Sequence, residues 1–283
     1  MDTLSLMEQI LFCTTRIETS DKNGNKYSGT GFFFSFKLDE TTTIPLIITN
    51  KHVVKGMSEG RFLFTVADKD GNPEYKNHHA IEFFNFEEAW IFHPDDNVDL
   101  CVLPLANVLR AAKSHGISLF YKTFTDDMIP DSKVLATIDA MEDIIMIGYP
   151  NGLWDSVNNM PILRKGITAT NIKYDYNGKK EFVIDAACFP GSSGSPVIMC
   201  NLGEYKDKQG TIHYGATRVL LLGVLYAGPQ MSISGEVKVI SVPTANQKVI
   251  SQSCIPNNLG FVIKAECING FRSILEGYLK PTE

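Results

Sequence analysis

The chain alternates short apolar runs with turn-forming segments along most of its length. Each run is rich in β-branched and aromatic residues and is long enough for a single strand. The runs lie at 31–36, 45–49, 61–66, 100–105, 144–147, 182–184, 196–199, 219–225 and 237–242. Turn signals lie between them, at Asn23–Gly24, Asp70–Asn72, Asn151–Gly152 and Asn177–Gly178. This pattern predicts an all-β protein built as a sandwich or a barrel.

Helical spacing occurs in two segments only. Leu105–Ser114 carries apolar residues three and four positions apart and is followed by Gly116, which favours a helix end. Ala265–Leu279 has the same spacing and predicts a C-terminal helix. The stretch 106–140 is polar and poor in strand signals, so we interpret it as the connection between two β units.

Length and charge exclude several classes of protein. A chain of 283 residues fits two units, or one large all-β body. Twenty-six basic against thirty-two acidic residues give a net charge of −6, which disfavours binding to nucleic acid or to an anionic membrane. The longest apolar run, at 219–228, is about half a membrane span. The N-terminus has no basic region and Glu8 interrupts its apolar stretch, so we expect no signal peptide and a cytoplasmic location.

The cysteines and the acidic turns do not predict a metal site or a cofactor. None of the six cysteines forms a CxxC pair, and most lie in apolar runs, so we expect reduced, buried thiols. Asp21–Asn25 and Asp68–Asn72 are similar to the start of a calcium loop but lack the bidentate Glu that such a loop needs. We interpret both as hairpin turns.

The segment Phe189–Pro196 is the most informative part of the sequence for chemistry. It reads FPGSSGSP, a glycine-flanked turn of the kind that exposes a serine and directs backbone N–H groups at one point. Three serines in four positions leave the nucleophile ambiguous, and the segment does not match the G-x-S-x-G elbow, because Ser195 replaces the last glycine.

Two further residues favour serine chemistry. His52 directly follows an apolar strand, and Asp99 begins another. Alone, each is more typical of a structural residue. Together with Ser193 they give the order His, Asp, Ser, and nucleophilic serine chemistry needs a base and a carboxylate that orients this base.

Five segments carry a resemblance to a known family. They are 29–32 (GTGF) leading to 47–54 (IITNKHVV), 99–103 (DLCVL), 144–153 (IIMIGYPNGL), 184–197 (IDAACFPGSSGSPV) and 258–263 (NLGFVI). In this order they resemble trypsin-like serine proteases with the chymotrypsin fold, in particular the bacterial HtrA/DegP group. The matches span about residues 10 to 275.

The resemblance implies a fold and a division of the chain. It implies two six-stranded β-barrels with a cleft between them, followed by a C-terminal helix. We therefore expect a single protease domain over 1–283. It would consist of an N-terminal barrel (1–115), a connection (116–140), a C-terminal barrel (141–264) and a helix with a tail (265–283).

The resemblance also implies the roles of the site residues. Ser193 would be the nucleophile, His52 the general base and Asp99 the group that orients it, with the oxyanion hole formed by the N–H groups of Gly191 and Ser193. A protein or peptide substrate would bind without a cofactor or metal, against residues of the pocket and of the neighbouring strand: Ala187, Cys188, Phe189, Pro190, Tyr226, Ala227 and Gly228.

Departures from the family pattern lead to three expectations. Ser192 stands where digestive relatives carry an Asp that pairs with a new N-terminus, so we expect no activation by cleavage after Arg16. The chain ends soon after the predicted helix, which leaves no room for the PDZ module that HtrA proteins usually carry. Ala187 stands where Arg- or Lys-selective relatives carry an acid, so we expect an uncharged specificity pocket.

Three functions remain open from the sequence. The favoured one is a regulated cytosolic endopeptidase of a stress or bacterial defence response, because an unrestrained protease would be toxic in that compartment. The others are a catalytically silent protease-fold scaffold that binds peptides, and a serine esterase or acyltransferase. A regulatory protein partner or a homo-oligomer is compatible with each.

Overall fold

A computed structural model describes residues 4–40, 42–236, 250–256 and 258–279, with the backbone alone described at 230–236, 250–256, 278 and 279. The strand predicted at 237–242 lies outside the described residues. No helix within the described ranges has the length and apolar character needed to cross a bilayer.

Strands account for most of the regular structure. They are β1 (Thr14–Asp21), β2 (Lys26–Lys37), β3 (Thr43–Thr49), β4 (Met57–Ala67), β5 (Pro73–Phe83), β6 (Ile91–Phe92), β7 (Cys101–Pro104), β8 (Leu119–Phe120), β9 (Phe124–Thr125), β10 (Asp143–Gly148), β11 (Ile162–Thr168), β12 (Glu181–Asp185), β13 (Pro196–Asn201), β14 (Glu204–Lys206), β15 (Ile212–Tyr214), β16 (Arg218–Ala227), β17 (Gln230–Glu236), β18 (Ile250–Pro256) and β19 (Leu259–Lys264).

Helices are short and lie mainly at the ends and in the connection. They are α1 (Leu6–Ile10), α2 (Lys51–Val54), α3 (Ala106–Ser114), α4 (Ser132–Thr137) and α5 (Arg272–Leu279), with 3₁₀ turns at Glu87–Ala89, Asp126–Met128, Pro150–Gly152 and Ala265–Phe271. The helix expected at 105–114 is confirmed as α3. The segment predicted to be helical at 265–279 begins as a 3₁₀ turn and continues as α5.

Two sheets form the body of the protein. The N-terminal sheet runs in the order β5-β4-β1-β2-β3-β7-β6, with β8 added to β4 and β9 added to β2. The C-terminal sheet closes as a six-stranded barrel, β10-β11-β12-β19-β16-β13. The all-β class, the C-terminal barrel and the terminal helix are therefore confirmed. The N-terminal sheet has nine strands where six were expected, and two of the nine, β8 and β9, come from the connection and carried no strand signal in the sequence.

Strand β2 contributes to two of the three hydrophobic cores of the protein. Its side chains alternate between two faces because successive residues of a strand point in opposite directions. Phe33 packs in the N-terminal core with Phe62, whereas Phe32 and Phe34 pack in a second core with Ile147 of the C-terminal barrel. All of these side chains are buried. Burial of each phenylalanine contributes about 2–3 kcal/mol, so this strand fixes the two halves against each other.

Four of the five cysteines whose side chains the structure describes are buried, as predicted, and both acidic turns connect strands as predicted. Cys13, Cys101, Cys188 and Cys267 are buried and free, and Cys200 is half-buried and free. The side chain of Cys254 lies outside the description. The turns at 21–25 and 68–72 connect β1 to β2 and β4 to β5, and their aspartates accept backbone N–H groups of the same turn.

Candidate active site

His52 lies on a single helical turn that directly follows β3. Asn50 precedes the turn, and its side-chain Nδ2 donates to the Asp99 carbonyl oxygen at 2.9 Å. The turn packs closely on β2, because a Cβ at Gly29 would lie 2.6 Å from Cγ1 of Val53. The absence of a side chain at Gly29 therefore permits the position of the helix that carries His52.

Asp99 contacts His52 with both carboxylate oxygens. Its Oδ2 lies 2.5 Å from Nδ1 of the imidazole, and its Oδ1 accepts the His52 backbone N–H at 3.1 Å. A carboxylate beside Nδ1 favours the tautomer that carries its proton there, which leaves Nε2 as the acceptor. The imidazole is half-exposed, with 48% of its side-chain surface accessible, so Nε2 is available to a bound molecule.

Ser193 lies in a tight turn between two left-handed glycines. Gly191 and Gly194 have φ values of +86° and +87°, which side-chain-bearing residues rarely adopt. Backbone bonds close the turn from both sides: Ser192 N donates to Phe189 O at 3.0 Å and Ser195 N donates to Ser192 O at 3.0 Å. Gly194 N also donates to the Leu225 carbonyl of β16 at 2.8 Å, which joins the turn to the barrel.

The three serines of the turn differ in burial. Ser192 and Ser195 are 1% and 0% exposed, and neither hydroxyl has a hydrogen-bond partner within the described part of the chain. Ser193 is half-buried and is the only accessible one of the three. Its Oγ donates to the Tyr226 carbonyl oxygen at 3.4 Å, and within the described residues no hydrogen bond joins it to His52.

The backbone around Gly191 is held by close contacts with the loop at 149–152. The Pro190 carbonyl accepts Asn151 N at 2.6 Å, and in a trans peptide this directs the Gly191 N–H to the opposite side. A Cβ at Gly191 would lie 2.6 Å from the Tyr149 carbonyl oxygen, so the loop approaches too closely for any larger residue. Among the described residues, the N–H groups of Gly191 and Ser193 donate to no acceptor and remain available to a ligand.

A cavity of about 160 Å³ opens beside Ser193. None of the described residues that line it is charged; they are Cys188, Phe189, Pro190, Ser193, Leu225, Ala227 and Gly228. Burial raises the pKa of the Cys188 thiol to about 11, so this thiol stays protonated at neutral pH. Five of the seven predicted substrate-binding residues line the cavity. Ala187 and Tyr226 do not, although Tyr226 contributes its carbonyl to the site.

Two residues near the pocket were missed in the sequence. Arg164 of β11 donates from Nη1 to the Ala187 carbonyl at 3.0 Å, and its guanidinium lies over the Phe189 ring at 4.7 Å. Asn151 orients the Pro190 carbonyl, although its sequence context indicated only a turn. Neither role has a sequence signal, because each depends on a loop that is distant in the chain.

The comparisons with known proteins identify the family. The model of the trypsin-like peptidase domain matches residues 29–204, which include His52, Asp99 and Ser193. No curated protein sequence matches the chain significantly.

Solved structures with a similar course of the chain share little sequence. The HtrA-type protease AlgW with a tripeptide is 16% identical at a TM-score of 0.45, over 95% of this chain and 62% of that one. The Rv3671c protease of M. tuberculosis in its active form is 15% identical at 0.43, over 96% and 84%. The MamO protease domain of Magnetospirillum magneticum is 13% identical at 0.43, over 97% and 100%. This chain thus spans less than two thirds of the AlgW chain.

The family assignment rests on the match to the trypsin-like peptidase domain. That match covers more than half of the chain and includes every residue of the proposed triad. The chain therefore belongs to the trypsin-like peptidase domain family.

Proposed function

We propose that this chain is a serine endopeptidase in which Ser193 is the nucleophile, His52 the general base and Asp99 the residue that orients the imidazole. The contact of both Asp99 carboxylate oxygens with His52 carries the proposal. A histidine held in this way presents Nε2 as a base, which is what a weakly acidic serine hydroxyl requires. The accessible serine between the two glycines supplies that hydroxyl.

The proposed reaction proceeds in two acyl transfers. Ser193 Oγ attacks the scissile carbonyl carbon while its proton passes to Nε2 of His52. The carbonyl oxygen takes the negative charge and accepts hydrogen bonds from the N–H groups of Gly191 and Ser193. Collapse breaks the C–N bond, and the protonated imidazole gives its proton to the departing amine. Water then attacks the acyl group by the same route and restores the serine.

The resting hydroxyl of Ser193 must change its partner before it reacts. It donates to the Tyr226 carbonyl in the free protein, and rotation about its Cα–Cβ bond would bring it towards Nε2. Catalytic hydrogen bonds are often long or misaligned in a free enzyme and tighten when substrate is bound. A peptide lying antiparallel to residues 226–228 would place its carbonyl at this serine.

Labelling with a fluorophosphonate probe tests the proposal. We expect the wild type to be labelled, and Ser193→Ala and His52→Ala to lose the label. Ser195→Ala is the matched control, since its hydroxyl is buried, and it should keep the label. Labelling that is lost in Ser195→Ala but kept in Ser193→Ala would show that the nucleophile is misassigned.

Turnover assays separate the remaining alternatives. A protein that is never labelled would be a silent peptide-binding scaffold, whereas one that is labelled and cleaves esters but not peptides would be an esterase or acyltransferase. Hydrolysis of casein or of a peptide library by the wild type, and not by Ser193→Ala, would support the endopeptidase.

The biological role that we propose is regulated proteolysis in the cytoplasm, in a stress or bacterial defence response. The free thiols at Cys13, Cys101, Cys188, Cys200 and Cys267 support a reducing compartment. Identification of new protein N-termini in cells that express the wild type or Ser193→Ala would test this role. A few cleaved proteins are expected, and broad cleavage of unfolded proteins would contradict it.

A further inference from the structure

Thr30 is a buried residue of β2 that lies where the N-terminal sheet meets the serine turn of the C-terminal barrel. It has no solvent-exposed surface. Its neighbours in the serine turn are Gly191, Ser193 and Gly194, which are more than 160 positions away in the chain. Every polar atom of Thr30 that faces these residues has a partner.

The Thr30 hydroxyl is used as both donor and acceptor. Oγ1 donates to the Gly191 carbonyl oxygen at 2.9 Å and accepts Tyr149 N at 3.2 Å. A threonine hydroxyl offers one proton, so both the donor and an acceptor position are committed to the loop around Gly191. The bond to the Gly191 carbonyl fixes the peptide plane that follows Gly191.

The Thr30 backbone fixes a second peptide plane of the same turn. Its N–H donates to the Ser193 carbonyl oxygen at 2.9 Å, and its own carbonyl accepts Oγ1 of Thr49 at 2.7 Å. Thr49 is the last residue of β3, three positions before His52. One residue therefore joins the turn that carries Ser193 to the strand that precedes His52.

The approach of Thr30 also explains a glycine in the turn. A Cβ at Gly194 would lie only 1.9 Å from the Thr30 carbonyl oxygen and 2.5 Å from Oγ1 of Thr49. The two halves of the protein are in backbone contact at this point, so a small displacement of β2 moves the serine turn with it.

We propose that Thr30 is a positioning residue that holds the two oxyanion donors in place. Asn151 fixes the peptide plane before Gly191, and Thr30 fixes the planes after Gly191 and after Ser193. Thr30 touches no reacting atom and acts through these peptides. The inference rests on the proposed function, because it assigns Thr30 a part in the same reaction.

Two substitutions of Thr30 distinguish a positioning role of its hydroxyl from a role of its side chain in packing alone. Thr30→Val keeps the shape of the side chain and the backbone bonds but removes the hydroxyl, whereas Thr30→Ser keeps the hydroxyl. Thr15→Val is the matched control, because Thr15 is also a buried strand residue whose hydroxyl donates to a carbonyl, that of Leu63 at 3.2 Å.

We expect Thr30→Val to lower kcat by about 10- to 100-fold with KM changed by less than about threefold, since displacement of a catalytic group by about 1 Å costs on the order of 10²-fold. Thr30→Ser should recover most of the rate, and Thr15→Val should lower the melting temperature without loss of kcat. An unchanged kcat in Thr30→Val, or a Thr30→Ser variant as slow as Thr30→Val, would overturn the inference. If Thr30→Val does not fold, Thr30→Ala takes its place with the same expectations.

Hydrogen exchange gives a readout that does not depend on activity. The Asn151 amide donates to Pro190, so its protection reports whether the peptide before Gly191 keeps its orientation. We expect this protection to fall about tenfold in Thr30→Val and to return in Thr30→Ser, and equal protection in all three proteins would refute the role of Thr30. If the wild type neither labels nor cleaves, the proposed function fails, and the exchange experiment still decides whether Thr30 positions the loop.

Discussion

His52 is held by Asp99 at two points, with Nδ1 2.5 Å from Oδ2 and the backbone N–H 3.1 Å from Oδ1. The second contact joins the carboxylate to the helical turn itself, so the orientation of the ring and that of its backbone are set together. In the proposed mechanism, Asp99 therefore selects the tautomer and limits the movement of the imidazole.

Replacement of Asp99 tests this relationship. Asp99→Asn keeps the size of the side chain but presents an amide to Nδ1, which favours the wrong tautomer. We expect kcat to fall by about 10⁴-fold with little change in KM, as in serine proteases with this arrangement. Steady-state kinetics on a peptide substrate provide the measurement. Asp96→Asn, at an exposed position three residues earlier, should keep the wild-type rate.

A substitution at Gly194 tests how closely the two halves approach each other. Gly194→Ala would place a methyl group against the Thr30 carbonyl and would strain a backbone with φ of +87°. We expect it to lower the free energy of unfolding by about 2–5 kcal/mol. Gly178→Ala has the same strain, with φ of +76°, but no atom within 4 Å, so it should cost about 1–2 kcal/mol. Equal effects in urea denaturation would show that contact at Gly194 is unimportant.

The pocket beside Ser193 predicts the preference at the cleavage site. Among the described residues, its lining has no acid to pair with a cationic side chain, and the guanidinium of Arg164 lies against Phe189 at its wall. We expect cleavage after small or medium apolar residues and little or none after Arg or Lys. A peptide-library profile measures this preference, and a profile dominated by Arg or Lys would contradict it.

A substitution in the pocket tests the expected preference for apolar residues more specifically. Gly228 and Cys188 both line the cavity, and a Cβ at Gly228 would lie 3.2 Å from Cβ of Cys188. Gly228→Val should therefore reduce kcat/KM for substrates with Leu before the scissile bond more than for those with Ala. A uniform reduction would indicate a general effect on folding.

The peptide bond between Arg16 and Ile17 allows a test of whether the uncut chain is active. Ile17 is fully buried in β1, between its partners Gly29 of β2 and Phe62 of β4. Cleavage after Arg16 would interrupt a central strand, and Ser192 offers a new N-terminus no carboxylate. We expect the intact chain to be labelled, as shown by the mass of the labelled protein. Labelling of cleaved molecules alone would contradict this.

The Cys13 thiol predicts a loss of stability in alkali. Burial raises its pKa from 9.0 to about 12 in the folded protein. Between these pH values the unfolded chain releases a proton that the folded chain keeps. The contribution of this thiol to the free energy of unfolding is therefore fully present below pH 9 and is lost as pH rises towards 12. The expected slope is about 1.4 kcal/mol per pH unit. Urea denaturation from pH 8 to 10.5 should show a shallower decline for Cys13→Ala than for the wild type, and identical slopes would refute the assignment.

Sequence patterns predicted four of the six strands of the C-terminal barrel, because those four contain uniform apolar runs, whereas β11 (ILRKGIT) carries two basic residues and was missed. The runs at 144–147, 182–184, 196–199 and 219–225 all lie within strands of that barrel. The strands that were missed have a different character: β1 (TTRIETSD) and β5 (PEYKNHHAIEF) are polar and gain their structure from pairing with neighbours. Local propensity does not predict such strands, since the partner that stabilises them is distant in sequence.

The residues of the proposed site also differ in whether local sequence or a distant partner determines their role. His52, Asp99 and Ser193 could be predicted as a triad from the sequence, because their residue types and order carry chemical information. Thr30 and Asn151 could not, because their roles depend on which carbonyl each one faces. Burial of Ser192 and Ser195 likewise depends on packing, so the choice among three adjacent serines required the structure.

The residues of the proposed site come from both halves of the chain, so the ribosome releases them at different times. His52 and Asp99 leave the ribosome well before Ser193, and the turn around Ser193 still lacks the Leu225 carbonyl that accepts Gly194 N at 2.8 Å. Strand β16, which carries that carbonyl, must then pair with β19 to complete the barrel. In the proposed mechanism, a growing polypeptide would therefore carry no reactive serine until β19 has emerged from the ribosome, and it could not cleave neighbouring nascent chains before that point.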